Sequence, residues 1–119
     1  MEKFDAIVVG AGPAGLSAAY TMADKGLSVI VIERGDYPGA KNVMGGILYS
    51  EPTSQIFPDF WKEAPLERPI VEENYWFLTE ESVTKFGHRN QKFGAEPYNA
   101  FSVFRANFDK WMGEKFKAK

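Results

Sequence analysis

Residues 4–15 have the sequence FDAIVVGAGPAG, and residues 29–33 have the sequence VIVIE. Both contain an apolar run typical of a buried strand. The first continues into a Gly-x-Gly-x-x-Gly turn, and the second ends in a carboxylate. The residues between them repeat apolar side chains at helical spacing and end at Gly26. This order is typical of a dinucleotide-binding βαβ unit, with strands at 4–9 and 28–33 and a helix over 13–25.

The glycines of the turn have different physical tasks. Gly10 can take backbone angles that a side chain forbids, which allows the tight turn out of the strand. Gly12 lets the backbone approach a pyrophosphate, and Gly15 lets the helix pack closely on the sheet. The free amides and the dipole at the helix start favour phosphate. The predicted binding residues of the turn are Gly10, Gly12, Pro13, Ala14 and Gly15.

Glu33 closes the second strand, where its carboxylate can accept hydrogen bonds from a pair of ribose hydroxyls. The same charge would repel a 2′-phosphate, so an NADP-type ligand is disfavoured. A secretory signal does not fit this stretch, because Glu2, Lys3 and Asp5 give it a net negative start. The apolar run is also interrupted by glycine and proline and is too short to span a bilayer.

Composition limits the other function classes. The 119 residues are about one domain long, and 45% are hydrophobic, enough to fill a core. A net charge of −2 gives no electrostatic reason to expect nucleic acid. The lack of cysteine excludes disulfides, cysteine-ligated iron–sulfur clusters and thiol nucleophiles. We assign no metal ligand and no catalytic residue. His88, in a polar run, is predicted to be a solvated loop residue.

The remainder of the chain does not alternate strands and helices. Residues 34–49 are predicted to be a glycine-rich loop, either a flexible connector or a backbone held against a flat ligand. Ser50 is predicted to cap a helix over 51–57. Antiparallel strands at 74–79, 82–87 and 98–104 are expected to form one sheet. We therefore divide the chain into a βαβ unit with its loop (1–50), a helix-and-strand segment (51–105) and a helix (106–119).

The last predicted helix is amphipathic and capped by Asn107. Its apolar face carries Phe108, Trp111, Met112 and Phe116, and no strand follows to cover it. We therefore expect the chain to be the amino-terminal piece of a longer protein. Just before this helix, Arg105 either meets a phosphate or is a plain surface arginine.

Several stretches resemble a known family. Residues 10–15 followed by VIERG at 31–35 are similar to the amino terminus of FAD-dependent oxidoreductases of the glutathione-reductase-like architecture. The sequence ERGDYPGAKNVMGGILY at 33–49 resembles the FixC family, flavoprotein dehydrogenases similar to electron-transfer flavoprotein–quinone oxidoreductase. The stretches 77–82 and 104–109 match the same family pattern. The implied fold class is α/β: a Rossmann-like FAD-binding βαβ unit followed by the start of an antiparallel substrate-side sheet.

The resemblance implies FAD as the cofactor, a reduced electron-transfer flavoprotein as electron donor and a quinone as acceptor. It also implies a ferredoxin-like partner. Because the sequence contains no membrane-spanning run, we expect a cytoplasmic location, or one peripheral to the inner face of the cell membrane. Residues 10–15 and Glu33 would hold the adenine half of FAD. The residues implied near the flavin are Arg34, Lys41, Asn42, Gly45 and Gly46, with Arg105 approaching the cofactor.

Two other functions stay open on the sequence. Geranylgeranyl reductases share the fold, but they usually carry an Arg-Cys-Gly-Glu-type motif where this chain has KNVMGG. Many relatives have a cysteine where this chain has Ala40, so thiol chemistry is not expected there. A nucleotide-binding module without catalysis also fits, because these residues offer no general base or nucleophile.

Overall fold

The computed structural model describes residues 2–119. The strands are β1 (Ala6–Val9), β2 (Val29–Ile32), β3 (Gly45–Tyr49), β4 (Arg68–Pro69), β5 (Glu72–Leu78), β6 (Val83–Arg89) and β7 (Ala100–Phe104). The α-helices are α1 (Pro13–Asp24), α2 (Ser50–Ser54) and α3 (Arg105–Lys117). Short 3-10 helices occupy Phe60–Lys62 and Gln91–Gly94.

The predicted strand–helix–strand unit is present. β1 and β2 pair in parallel, from Ala6 opposite Val29 to Val9 opposite Ile32. α1 connects them and ends before Gly26, which takes a φ of 84° that side-chain-bearing residues avoid. Both strands are shorter than predicted, but the order and type of the elements are as the apolar runs and glycines indicate.

A second sheet was missed by the sequence analysis. β3 pairs antiparallel with β7, and β7 also pairs with the short β4, in the order β3-β7-β4. The prediction that all of 34–49 is loop is therefore wrong for Gly45–Tyr49. Two glycines at the start of this strand hid its signal, whereas β7 supplies the hydrogen-bonding partner that makes it extended.

The predicted single antiparallel sheet is divided in two. β5 and β6 form a separate hairpin, from Glu72 opposite Arg89 to Leu78 opposite Val83, and β7 does not join it. His88 lies in β6 rather than in a loop. Most of the hairpin side chains are exposed, and Phe86 stacks on Tyr75 and Phe77 at ring-centre distances of 5.1 and 5.7 Å.

Two helix starts differ from the predictions. α2 begins at Ser50 itself and ends at Ser54, so the buried Ser50 is a helical residue and not the cap. α3 begins at Arg105, which places Asn107 in its first turn rather than at the cap. The Arg105 amide donates to the carbonyl oxygen of Met44 at 2.9 Å, so the loop before β3 replaces a capping side chain.

The core lies between the two longer helices and the β3-β7-β4 sheet. Phe57 packs edge-on against Trp111 with ring centres 5.2 Å apart, and Tyr20 of α1 lies 4.6 Å from the Phe57 ring. The buried cluster consists of Ala11, Leu16, Phe57, Phe60, Phe101, Val103, Phe108, Trp111 and Met112. The expectation that the apolar face of the last helix has no cover is wrong, because α1 and Phe57, earlier in the chain, cover it.

One face of the parallel strands packs against α1, and the opposite face is exposed. Val8 points towards α1, whereas Ile7 and Val9 alternate to the opposite face and are 65% and 81% exposed. Ile32 of β2 is 51% exposed. Within residues 2–119, no helix is both long and apolar enough to cross a lipid bilayer.

Candidate cofactor site

The glycine turn fixes where α1 begins. Gly10 has a φ of 96°, and its amide donates to the carbonyl oxygen of Ile32 at 2.7 Å, which ties the turn to β2. A methyl group built on Gly15 would overlap the carbonyl oxygen of Gly10 and lie 3.2 Å from Val8 Cγ1. Only glycine therefore lets the helix start this close to the end of β1.

The amino terminus of α1 is open. No side chain caps it, and Pro13 in its first turn has no N–H to satisfy. The first-turn amides of Ala14 and Gly15 have no carbonyl partner within the helix. A methyl group built on Gly12 would meet no atom within 4 Å, so there is free space in front of the turn. This arrangement fits the pyrophosphate of a dinucleotide.

Glu33 is bound to the turn by hydrogen bonds. Its Oε2 accepts from the Ala11 amide at 2.8 Å, and its Oε1 accepts from the Gly35 amide at 2.6 Å. These bonds, that from Gly35 first, lower the pKa of the carboxyl group. A carboxylate oxygen can accept more than one hydrogen bond, so both oxygens keep capacity for ribose hydroxyls.

The loop before β3 lies tightly against α3. Gly39 has a φ of 89°, and a methyl group built on it would lie 2.6 Å from the Ala106 carbonyl oxygen and 2.9 Å from Asp109 Cβ. Further on, Asn42 Oδ1 accepts from the Met44 amide at 2.9 Å. The loop is thus held in place by α3 and is not a flexible connector.

Asp109 is a buried anchor that the sequence analysis missed. The residue is only 2% exposed, and its carboxylate accepts from Arg105 Nε at 2.9 Å and Nη2 at 3.2 Å. Asn42 Nδ2 donates to the same carboxylate at 3.3 Å. The spacing of Arg105 and Asp109, four residues apart in a helix, was the available signal. Arg105 is therefore not a plain surface arginine.

These elements surround a cleft of about 350 Å³. It brings together four of the residues predicted to bind the cofactor: Gly12, Glu33, Lys41 and Asn42. Its other lining residues are Ala11, Gly39, Ala40, Val43, Met44 and Asp109. The other eight predicted residues do not line it: Gly10, Pro13, Ala14, Gly15, Arg34, Gly45, Gly46 and Arg105. Gly45 and Gly46 begin β3 directly after its loop. The cleft therefore joins the turn at the open helix terminus, one lysine and two carboxylates, of which that of Asp109 is already paired with Arg105.

The family of the chain follows from comparison with known proteins. Residues 5–111 match the family described as FAD dependent oxidoreductase, DAO. The chain belongs to this family, it has the family's α/β fold, and FAD is its cofactor. The open start of α1 and the free space before Gly12 agree with this cofactor.

Two curated relatives are similar over almost the whole chain. Protein FixC of Rhizobium meliloti strain 1021 is 49% identical over 114 residues, which are 96% of this chain and 26% of the relative. The probable electron transfer flavoprotein-quinone oxidoreductase YdiS of Escherichia coli strain K12 is 45% identical over 96% of this chain and 27% of the relative. The chain thus spans about a quarter of the length of these relatives.

Solved structures share the fold. The geranylgeranyl bacteriochlorophyll reductase-like protein of Thermoplasma acidophilum superposes with a TM-score of 0.72 at 23% identity, over 99% of this chain and 28% of that protein. The myxobacterial FAD-dependent chondrochloren halogenase CndH gives a TM-score of 0.72 at 26% identity, over 99% and 27%. The likeness to the reductase concerns the fold alone.

Glu33 should make stability depend on pH. Because its folded pKa is lowered from 4.5, its stabilising effect is complete above pH 4.5 and is lost as pH falls through the lowered value. We expect the melting temperature of the wild type to fall more steeply below that pH than that of Glu33→Gln. Glu80→Gln, which removes the same charge from the exposed hairpin turn, should follow the wild type. Parallel curves for the wild type and Glu33→Gln would contradict this role.

Asp109 should stabilise the fold through Arg105 and Asn42. Asp109→Ala leaves the guanidinium of Arg105, about a quarter exposed, without its anion. We expect a loss of about 2–3 kcal/mol in the free energy of unfolding, measured by chemical denaturation. Lys62→Ala, which breaks the exposed pair with Asp59, is the control and should change little. Equal effects of the two substitutions would show that Asp109 is not an anchor.

Proposed function

We propose that this chain is the cofactor-binding part of an oxidoreductase that passes electrons from a reduced electron-transfer flavoprotein towards a quinone. The observation that carries the proposal is the cleft in which the open start of α1 meets the loop with Lys41 and Asn42. Support for the electron route comes from similarity to FixC and to the probable quinone oxidoreductase YdiS over 96% of the chain.

The turn and Glu33 would hold the adenine half of FAD. The amides of Ala14 and Gly15 point from the open helix start and can donate to the pyrophosphate, while Gly10 and Gly12 keep side chains away from it. Pro13 adds no competing donor. The free lone pairs of the Glu33 carboxylate would accept the ribose hydroxyls.

The loop and the start of β3 would hold the flavin half. Lys41 is exposed and lines the cleft, where its charge can meet a phosphate or a flavin oxygen. A methyl group built on Gly45 would lie 3.7 Å from the nearest protein atom, so there is free space beside the backbone of Gly45. Arg34, Asn42, Gly46 and Arg105 complete the proposed set. Arg105 would act mainly by fixing Asp109 and, through it, Asn42.

When bound, FAD supplies a ring that accepts two electrons and can release them one at a time. The residues of this chain contribute position and charge, since none of them is assigned as a base or nucleophile. We propose the glutathione-reductase-like type of fold, and the three functional segments 1–50, 51–105 and 106–119. We also propose a ferredoxin-like partner. The protein itself would be cytoplasmic and would contact the inner face of the cell membrane, where its quinone resides.

Substitution of Gly12 should affect cofactor binding, whereas substitution of Gly15 should affect folding. Gly15→Ala forces a methyl group into the Gly10 carbonyl, so we expect it to lower the free energy of unfolding by about 1–3 kcal/mol. Gly12→Ala meets no protein atom and should leave the melting temperature of the FAD-free protein nearly unchanged, yet lower FAD affinity by about tenfold or more. Flavin absorbance and thermal unfolding measure both effects. Wild-type FAD content in Gly12→Ala would contradict the proposed pyrophosphate position.

The electron route is tested on the protein purified at its natural length and kept anaerobic. We expect NADH alone to bleach the flavin absorbance slowly or not at all, because the one Gly-x-Gly-x-x-Gly turn in these 119 residues is assigned to FAD. Addition of a reduced electron-transfer flavoprotein should bleach it, and a soluble quinone should restore it. Dithionite is the control that the flavin is reducible. Rapid bleaching by NADH would overturn the proposed donor.

A further inference from the structure

A second cavity, of about 430 Å³, lies where the β5–β6 hairpin meets β3. It shares no lining residue with the cofactor cleft. Four of its lining residues have aromatic rings: Tyr49, Tyr75, His88 and Phe93. Its volume lies in the range of small-molecule sites, which are typically apolar with a few convergent polar groups. One of the polar residues that line this cavity is Glu73.

Glu73 is held in a defined orientation. Its Oε2 accepts from the Tyr75 hydroxyl at 3.1 Å and from the Tyr49 hydroxyl at 3.2 Å. It lies opposite His88 in the hairpin register, so both side chains are on the face of the hairpin that lines the cavity. Two phenols from two different sheets thus fix one carboxylate.

The negative charge of Glu73 has no partner in the described chain. Among residues 2–119, no lysine or arginine nitrogen lies within 4 Å of its carboxylate, and Oε1 accepts no hydrogen bond. The neighbouring Glu72, by contrast, pairs with Arg89 at 3.4 Å. Glu73 is also partly buried, which reduces the water available to solvate it. The cavity therefore contains an oriented, unneutralised carboxylate with one oxygen available.

The side chains that line the cavity favour a cation as the ligand. Both phenol hydrogens are committed to Glu73, and the bond to Glu73 raises the pKa of Tyr49, which keeps it a donor to that carboxylate. A ligand that only accepts hydrogen bonds finds these two hydroxyls occupied. A cation instead gains the free Oε1 and the faces of the surrounding rings, which attract positive charge.

We propose that this cavity binds an organic ammonium ion, with its N–H group on Glu73 Oε1 and its apolar body between the rings of Tyr49, Tyr75 and Phe93. This site shares no lining residue with the FAD cleft. Its ligand class is a primary ammonium on a small apolar or aromatic group.

Benzylamine, which is protonated at pH 7, and its neutral analogue benzyl alcohol are suitable probes. Titration of the wild-type protein at its natural length, by calorimetry and saturation-transfer NMR, should show binding of benzylamine. We expect the neutral analogue to bind about ten- to hundredfold more weakly, because it lacks the charge-assisted hydrogen bond. This comparison needs no variant. Equal binding of both probes, or no binding of benzylamine at about 10 mM, would overturn the proposal.

Glu73→Gln keeps an acceptor for the phenols and removes the charge. We expect it to weaken benzylamine binding about tenfold or more while leaving benzyl alcohol binding unchanged. Glu80→Gln removes a charge from the hairpin turn outside the cavity and should bind benzylamine like the wild type. Equal loss in both variants would assign the effect to net charge and would overturn the site. Retained flavin absorbance checks that each variant is folded.

Discussion

The contact between Gly15 and Gly10 is the constraint on which the cofactor cleft depends. It lets α1 start directly against the end of β1, with Val8 packed beside it. If the helix started further away, the amides of its first turn would no longer face the space in front of Gly12. Two hydrogen bonds link the same turn to the second strand and its end, from the Gly10 amide to Ile32 and from the Ala11 amide to Glu33.

The opposite wall of the cleft depends on a single buried carboxylate. Asp109 accepts hydrogen bonds from Arg105 in its own helix and from Asn42 in the loop, so the loop position is set by α3. Gly39 allows the loop to approach this helix where a methyl group would collide with backbone. The two walls are thus built independently, one from a glycine contact and the other from charged hydrogen bonds. The core between α1 and α3 keeps them at a fixed separation.

The parts that could be predicted from sequence are those with a local signal. The apolar runs and glycines of β1, α1 and β2 specify the βαβ unit, and resemblance over 33–49 indicates the family. β3 could not be found, because its strand character depends on pairing with β7, more than fifty residues away. The grouping of strands into sheets failed for the same reason. Asp109 was missed because an aspartate in an amphipathic helix usually faces solvent, whereas here Arg105 and Asn42 satisfy it in the interior.

The hairpin has a consequence for dynamics. Two strands with exposed side chains on both faces bury too little apolar surface to be stable alone. Its attachment to the rest of the fold includes the Tyr49–Glu73 bond and, just before β5, the hydrogen bond from the Ile70 amide to the Ala100 carbonyl oxygen of β7. Local opening of this unit should therefore cost less free energy than global unfolding, so its amide hydrogens exchange earlier than those of β7 or α1. Occupation of the cavity at its base would be visible as slower exchange along both strands, far from the flavin.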